Sequence, residues 1–148
     1  LVALGVLRCT RLRTQHLYTV NHDDPLVAHG LVPLFAAEQA RVRAVFASLK
    51  EGLAEELAAK AVRTLSVCGS AARGEDRPGS ALEVLVVTGS ADHLPQVEEK
   101  LAVLARELER RFGMTLSPTL LSQEQFHERC AAGDPAVFAM LYEGRVVA

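Results

Sequence analysis

The chain has 148 residues, of which 49% are apolar and 23% charged, and its formal net charge is -2. That apolar share suffices for a core and excludes wholesale disorder. The near-neutral balance excludes a chain that coats nucleic acid through net charge, and no apolar run approaches the ~18 residues of a membrane span.

Residues 1–25 contain no acid before Asp23. The opening Leu1-Val2-Ala3-Leu4-Gly5 reads as the tail of a helix that begins upstream and stops at Gly5. Val6 to Leu12 and Gln15 to Val20 alternate apolar and polar residues, which predicts two short strands joined at Arg13-Thr14. Asn21-His22-Asp23-Asp24-Pro25 reads as a polar turn.

Residues 26–60 form a connecting segment, with one long helix predicted from Pro33 to Lys60. Phe35, Val42, Val45, Phe46, Leu49, Leu53 and Leu57 share a stripe at helical spacing. Core packing is its expected use, and a homodimer contact is the alternative.

Residues 61–148 predict a second region. Val62 to Cys68 is a strand, and Gly69-Ser70-Ala71-Ala72-Arg73-Gly74 is a turn opening a short helix. Glu75 to Ser80 is a charged loop, and Ala81 to Val87 is a strand apolar enough to be buried on both faces. A helix over 95–112 carries Val97, Leu101, Leu104, Leu108 and Phe112 on one stripe and ends at Gly113. Met114 to Leu121 is a third strand, and Pro118 within it argues for a sheet edge. Ser122 with Gln125 predicts a capped helix over 123–132, and Asp134-Pro135 starts another that ends at Gly144.

Cys9, Cys68 and Cys130 are too scattered for a disulfide framework or a zinc site, and the five histidines show no ligand spacing. Arg8, Arg11 and Arg13 stand where a secretory leader needs apolar residues. Reduced thiols in a cytoplasmic protein are therefore the expectation.

The Gly69-Ser70 pair, the Ala72-Arg73-Gly74 triplet and the loop ending at Ser80 before Ala81-Leu82-Glu83 resemble the minimal nucleotidyltransferases of the DNA polymerase β superfamily. The resemblance implies an α/β fold, a mixed sheet with flanking helices. It also implies Mg²⁺ and a nucleoside triphosphate such as ATP as cofactors. Gly69, Ser70 and Arg73 would hold the nucleotide, and Glu83 would be the catalytic and metal-binding acid. Backbone N–H groups at such a turn suit a polyphosphate, and acids at i and i+2 on a strand share one face.

The chain departs from that pattern at the acids. Ala81 replaces the first aspartate, Glu83 the second, and the third strand has no carboxylate. Mg²⁺ usually takes one or two carboxylates together with phosphates. Nucleotide binding with little or no transfer is the expectation, and an active transferase that moves a nucleotide onto a hydroxyl is the alternative. Arg77 also comes within reach of phosphate in this reading, although Glu75 and Asp76 beside it offer surface pairs.

The first segment is similar to the end of a winged-helix DNA-binding domain, with Leu1 to Leu4 as the tail of the reading helix and the hairpin as the wing. The resemblance implies a transcriptional regulator whose Arg8, Arg11 and Arg13 meet DNA phosphates, contacts that give affinity without sequence information.

Overall fold

A computed structural model describes residues 1–74 and 80–148. The chain divides into two compact units, Leu1–Ala44 and Val45–Ala148. The described residues form helices and two sheets, one of two strands and one of four. Among the described residues no helix is long and apolar enough to cross a membrane.

In the first unit, Val6 N–H donates to Leu1 C=O and Gly5 N–H to Val2 C=O. These bonds close a turn at Gly5, whose φ is +76°, and Leu1 to Leu4, expected as a helix tail, form a turn and not a helix. Strand β1 (Leu7–Leu12) then pairs antiparallel with β2 (Gln15–Val20), in a register that runs from Leu7 opposite Val20 to Leu12 opposite Gln15. Both strands and the turn at Arg13-Thr14 lie where the alternation puts them. Asn21 ties the hairpin's base back, its side-chain amide donating to Gly5 C=O at 2.8 Å.

The predicted turn over 21–25 hides a helix start. Asp24 Oδ1 accepts from the N–H groups of Leu26 and Val27 at 2.9 and 3.3 Å. Pro25 follows it, as suits the first turn. One wide π turn spans Val27–Leu31, closed by Val32 N–H donating to Val27 C=O. Pro33 lies immediately beyond and cannot donate a helical bond, and a widened turn is one way a helix absorbs that loss.

Helix α1 runs over Val32–Gly52 and a separate short helix, α2, over Ala54–Ala58. The single helix expected over 33–60 is therefore broken at Leu53, whose φ of -115° and ψ of 17° leave the helical region. Its stripe is also split. Val45, Leu49 and Leu53 are buried, whereas Phe35 and Val42 are 59% and 38% exposed. The cause is local supply: the first unit buries only Val6 and Val27 as hydrophobics, so it offers no core for the stripe's first half.

The second unit is a three-layer arrangement. Strands β3 (Val62–Val67), β4 (Leu82–Thr88), β5 (Leu116–Ser122) and β6 (Arg145–Val146) form one sheet in the order β5-β4-β3-β6. β3 is antiparallel to β4 and β6, and β4 is parallel to β5. Parallel neighbours need a crossover, and helix α4 (Leu94–Phe112) supplies it. Pro118 does lie in an edge strand.

Leu65, Val67, Leu82, Val84 and Val86 face one core, which α4 completes with Val97, Leu101, Leu104 and Leu108. Leu85, Val87 and Leu121 face a second core, with Val137 and Phe126 from the helices α5 (Gln123–Ala131) and α6 (Pro135–Glu143). β4 is thus buried on both faces, as its apolar run predicts. Gly52 marks a close approach: a Cβ there would sit 2.8 Å from Leu104 Cδ1.

The expected capping box is present. Ser122 Oγ accepts from Gln125 N–H at 3.2 Å, and Gln125 Oε1 accepts from Ser122 N–H at 3.0 Å. Because Ser122 is also buried, Ser122→Ala is expected to destabilise the protein by about 1 kcal/mol. Urea denaturation checks this, and an unchanged midpoint would contradict it. β6 was not anticipated, since two residues carry no periodicity. Val147 N–H donating to Leu65 C=O at 2.8 Å continues its pairing.

Candidate functional site

The Gly69-Ser70 bend lies in the second unit, at the end of β3. Cys68 N–H donates to Glu83 C=O at 2.8 Å, so the ladder between β3 and β4 carries one bond beyond β3 and fixes the bend against the start of β4. The chain then turns into the short helix α3 (Gly69–Arg73). Gly69 has φ +65°, a left-handed conformation that favours glycine.

Glu83 is beside this glycine. A Cβ on Gly69 would lie 2.9 Å from Glu83 Oε2 and 3.3 Å from Oε1. The carboxylate therefore rests on the bare Cα face that the glycine provides, while Glu83 stays exposed. Ser70 is half-buried and its hydroxyl makes no hydrogen bond among the described residues. Three of the residues selected from the sequence are thus brought together, although one is on α3, one at the bend and one on β4.

Arg73 has a partner already: its Nη1 donates to Glu143 Oε2 at 2.5 Å, which joins α3 to the end of α6. Both side chains are near 40% exposed (42% and 43%), so the pair contributes little and a ligand could replace it at small cost. Glu143 is the acid that sequence reasoning missed. It is sixty residues from Glu83, and only the packing of α3 against α6 brings it here. Arg77 and the charged loop over 75–79 lie outside the described residues.

The site does not fit a resident metal centre. Ala81 offers no oxygen, and β5 opposes Glu83 with Ser117, not an acid. Among the described residues no three of His, Cys, Asp and Glu converge as a metal site. One carboxylate at the bend is fewer than a resident Mg²⁺ site without phosphates would need.

Cys68, just before the bend, is buried, and Cys9 and Cys130 are half-buried; all three are free thiols. Burial pushes the Cys68 thiol above its ordinary value of 9.0, a bond with the Leu85 backbone opposes the shift, and the charges of Glu83 and Glu143 add to it. The folded chain therefore holds this proton longer than the unfolded chain. The associated stability is whole below about pH 9 and fades as the pH climbs beyond it. Iodoacetamide at pH 8 is expected to label Cys9 and Cys130 in the native protein and to spare Cys68 until guanidinium is added. Peptide mass spectrometry reads the outcome, and equal labelling of Cys68 would contradict it.

In the first unit, the three arginines of the hairpin do not form one patch. Pleating alternates side chains, so Arg8 and Arg11 point to opposite faces of β1, and Arg13 lies at the tip. Arg8 Nη2 pairs with Asp23 Oδ2 at 2.6 Å. Arg11 and Arg13 are exposed and have no ion-pair partner among the described residues. No protein-family model matches the chain, and no curated protein and no solved structure is similar to it.

Proposed function

We propose that residues 61–148 are a nucleotidyltransferase-like domain that binds a nucleoside triphosphate at the Gly69-Ser70 bend and does not transfer it. The observation that carries this reading is the seat of Glu83 on Gly69: the phosphate turn and the surviving acid share one place. The uncommitted Ser70 hydroxyl and the exchangeable Arg73–Glu143 pair support it. The missing second and third acids argue against turnover, because clamping of developing phosphate charge is the main source of catalysis in this chemistry.

Glu83 gives the reading a sign that can be measured. Its charge repels bare ATP and attracts Mg·ATP. Glu83→Gln is expected to strengthen binding of ATP in EDTA and to weaken binding of Mg·ATP, each by several-fold. Ser70→Ala weakens both forms. Isothermal calorimetry on the full chain reads these affinities, and radiolabelled ATP reads transfer. Label transfer lost in both variants would replace this proposal with the active enzyme; no binding of either form would end both.

The first unit extends the proposal to a winged-helix regulator. Arg11 and Arg13 are the side chains free to meet DNA phosphates. Phe35 and Val42, left exposed, offer a contact for a second copy. The expected readout is DNA affinity that falls steeply with salt and weakens in the Arg11→Ala, Arg13→Ala double variant.

A further inference from the structure

The second unit contains a cavity of about 570 Å³ on the sheet face that carries α5 and α6, and neither Gly69, Ser70 nor Glu83 lines it. Its floor is β3 and β4, and its wall comes from Phe126 and Met140 on the two helices. The volume is that of a small-molecule site, and apolar walls with a few convergent polar groups are the usual composition of one.

The polar lining is Arg63, Thr64, Ser66, Gln123 and His127. Arg63 is the guanidinium among them, and among the described residues no carboxylate lines the cavity. The register of β3 against β4 slips between Val62 and Thr64, so Arg63 is the extra residue of a β-bulge. A bulge re-aims side chains, and here Arg63 and Thr64 both line the cavity, whereas strict alternation would put one of them on the opposite face. Arg63 has no ion-pair partner among the described residues. Its stem leans on Gly89, where a Cβ would come within 3.3 Å of Nε.

Ser66 is the second, independent observation. It is 5% exposed, it lines the cavity, and its side chain bonds the neighbouring Cys68 thiol. A thiol is a weak hydrogen-bond partner, so the hydroxyl keeps donor and acceptor capacity toward the cavity. A ligand oxygen in the cavity would use that capacity.

We propose that this cavity binds a small carboxylate with an apolar body, an aryl- or alkyl-carboxylic acid. The carboxylate meets the Arg63 guanidinium, whose planar fork matches two oxygens. The Ser66 and Thr64 hydroxyls complete its hydrogen bonds, and the body lies against Leu85, Phe126 and Met140. Nothing in this site depends on the nucleotide reading, since the two share no residue.

Phenylacetate is the probe, with phenylacetamide as its neutral twin and inorganic phosphate as an anion without an apolar body. Calorimetry on the full chain is expected to give saturable phenylacetate binding at millimolar concentration or below and none for the other two. Arg63→Gln is expected to weaken it about tenfold or more, Arg63→Lys less, and Ser66→Ala a few-fold. Arg63 is exposed, so its two variants keep the fold, and circular dichroism verifies this for them and for Ser66→Ala. Amide shifts in NMR should cluster at Ser66 and Phe126, and Ser70→Ala should leave the affinity unchanged. Equal binding of phenylacetamide, shifts centred on Gly69 instead, unaltered affinity in Arg63→Gln, or no phenylacetate binding would each overturn the proposal.

Discussion

Gly69→Ala is expected to destabilise the protein by about 1–2 kcal/mol, the usual cost of a left-handed conformation for a residue with a Cβ. The backbone at +65° is not free to relax, because Cys68 N–H is bonded to Glu83 C=O one residue earlier and α3 begins at once. The new methyl group would also occupy the seat of the Glu83 carboxylate, 2.9 Å from Oε2. That clash alone is small, since the exposed end of Glu83 can swing away. Strain therefore sets the stability loss, and on the proposed nucleotide reading the displaced acid adds a loss of binding. Guanidinium denaturation should show the first, and failure of Mg·ATP to raise the melting temperature should show the second. A native-like denaturation midpoint would mean that the bend does not need its glycine. A stable variant that still responds to Mg·ATP would separate the nucleotide site from this turn altogether.

The geometry of the bend was legible because its pattern is local. Glycine, serine and the strand before them are consecutive, and Glu83 follows on the strand that pairs with β3. The same holds for α4, whose stripe of Val97, Leu101, Leu104 and Leu108 is buried as spaced, and for the box at Ser122 and Gln125. Asp134-Pro135 caps α6 in the expected way, with Asp134 Oδ1 accepting from Ala136 N–H at 2.9 Å. Asp24-Pro25 carries the same signal and starts a helix by the same bond, yet the cluster of polar residues around it reads as a turn. Local pattern identifies a cap only where the apolar period after it is clear. Phe35 and Val42 show the opposite limit. A stripe states that a face is apolar, but burial depends on what else the unit can bring to it. Arg63 and Glu143 were invisible for a third reason. A bulge is a relation between two strands, and Glu143 reaches Arg73 only through the packing of α6, so neither is written in any one stretch of chain.

Glu56→Leu is expected to stabilise the protein, by about 1–3 kcal/mol. Glu56 on α2 is 2% exposed, and its Oε2 has no hydrogen-bond partner. Its other oxygen has only long contacts, 3.4 Å from Gln96 Nε2 and 3.7 Å from Lys100 Nζ. A buried acceptor left unsatisfied costs about 1–3 kcal/mol, and more when charged. Removing one member of a buried pair is usually harmful because the other charge is stranded. Lys100 is not stranded here. It is 42% exposed and bonded to Glu55 at 3.0 Å, the contact that does most to hold its ammonium above the ordinary value. Leucine has a similar volume and a better helix propensity, so the site should accept it beside the α4 core. Glu56→Gln, which removes charge and keeps shape, should fall between the two proteins. Urea midpoints at pH 7 decide the matter. A leucine variant less stable than the parent would show that the long contacts to Gln96 and Lys100 hold α2 on α4 more firmly than their distances suggest.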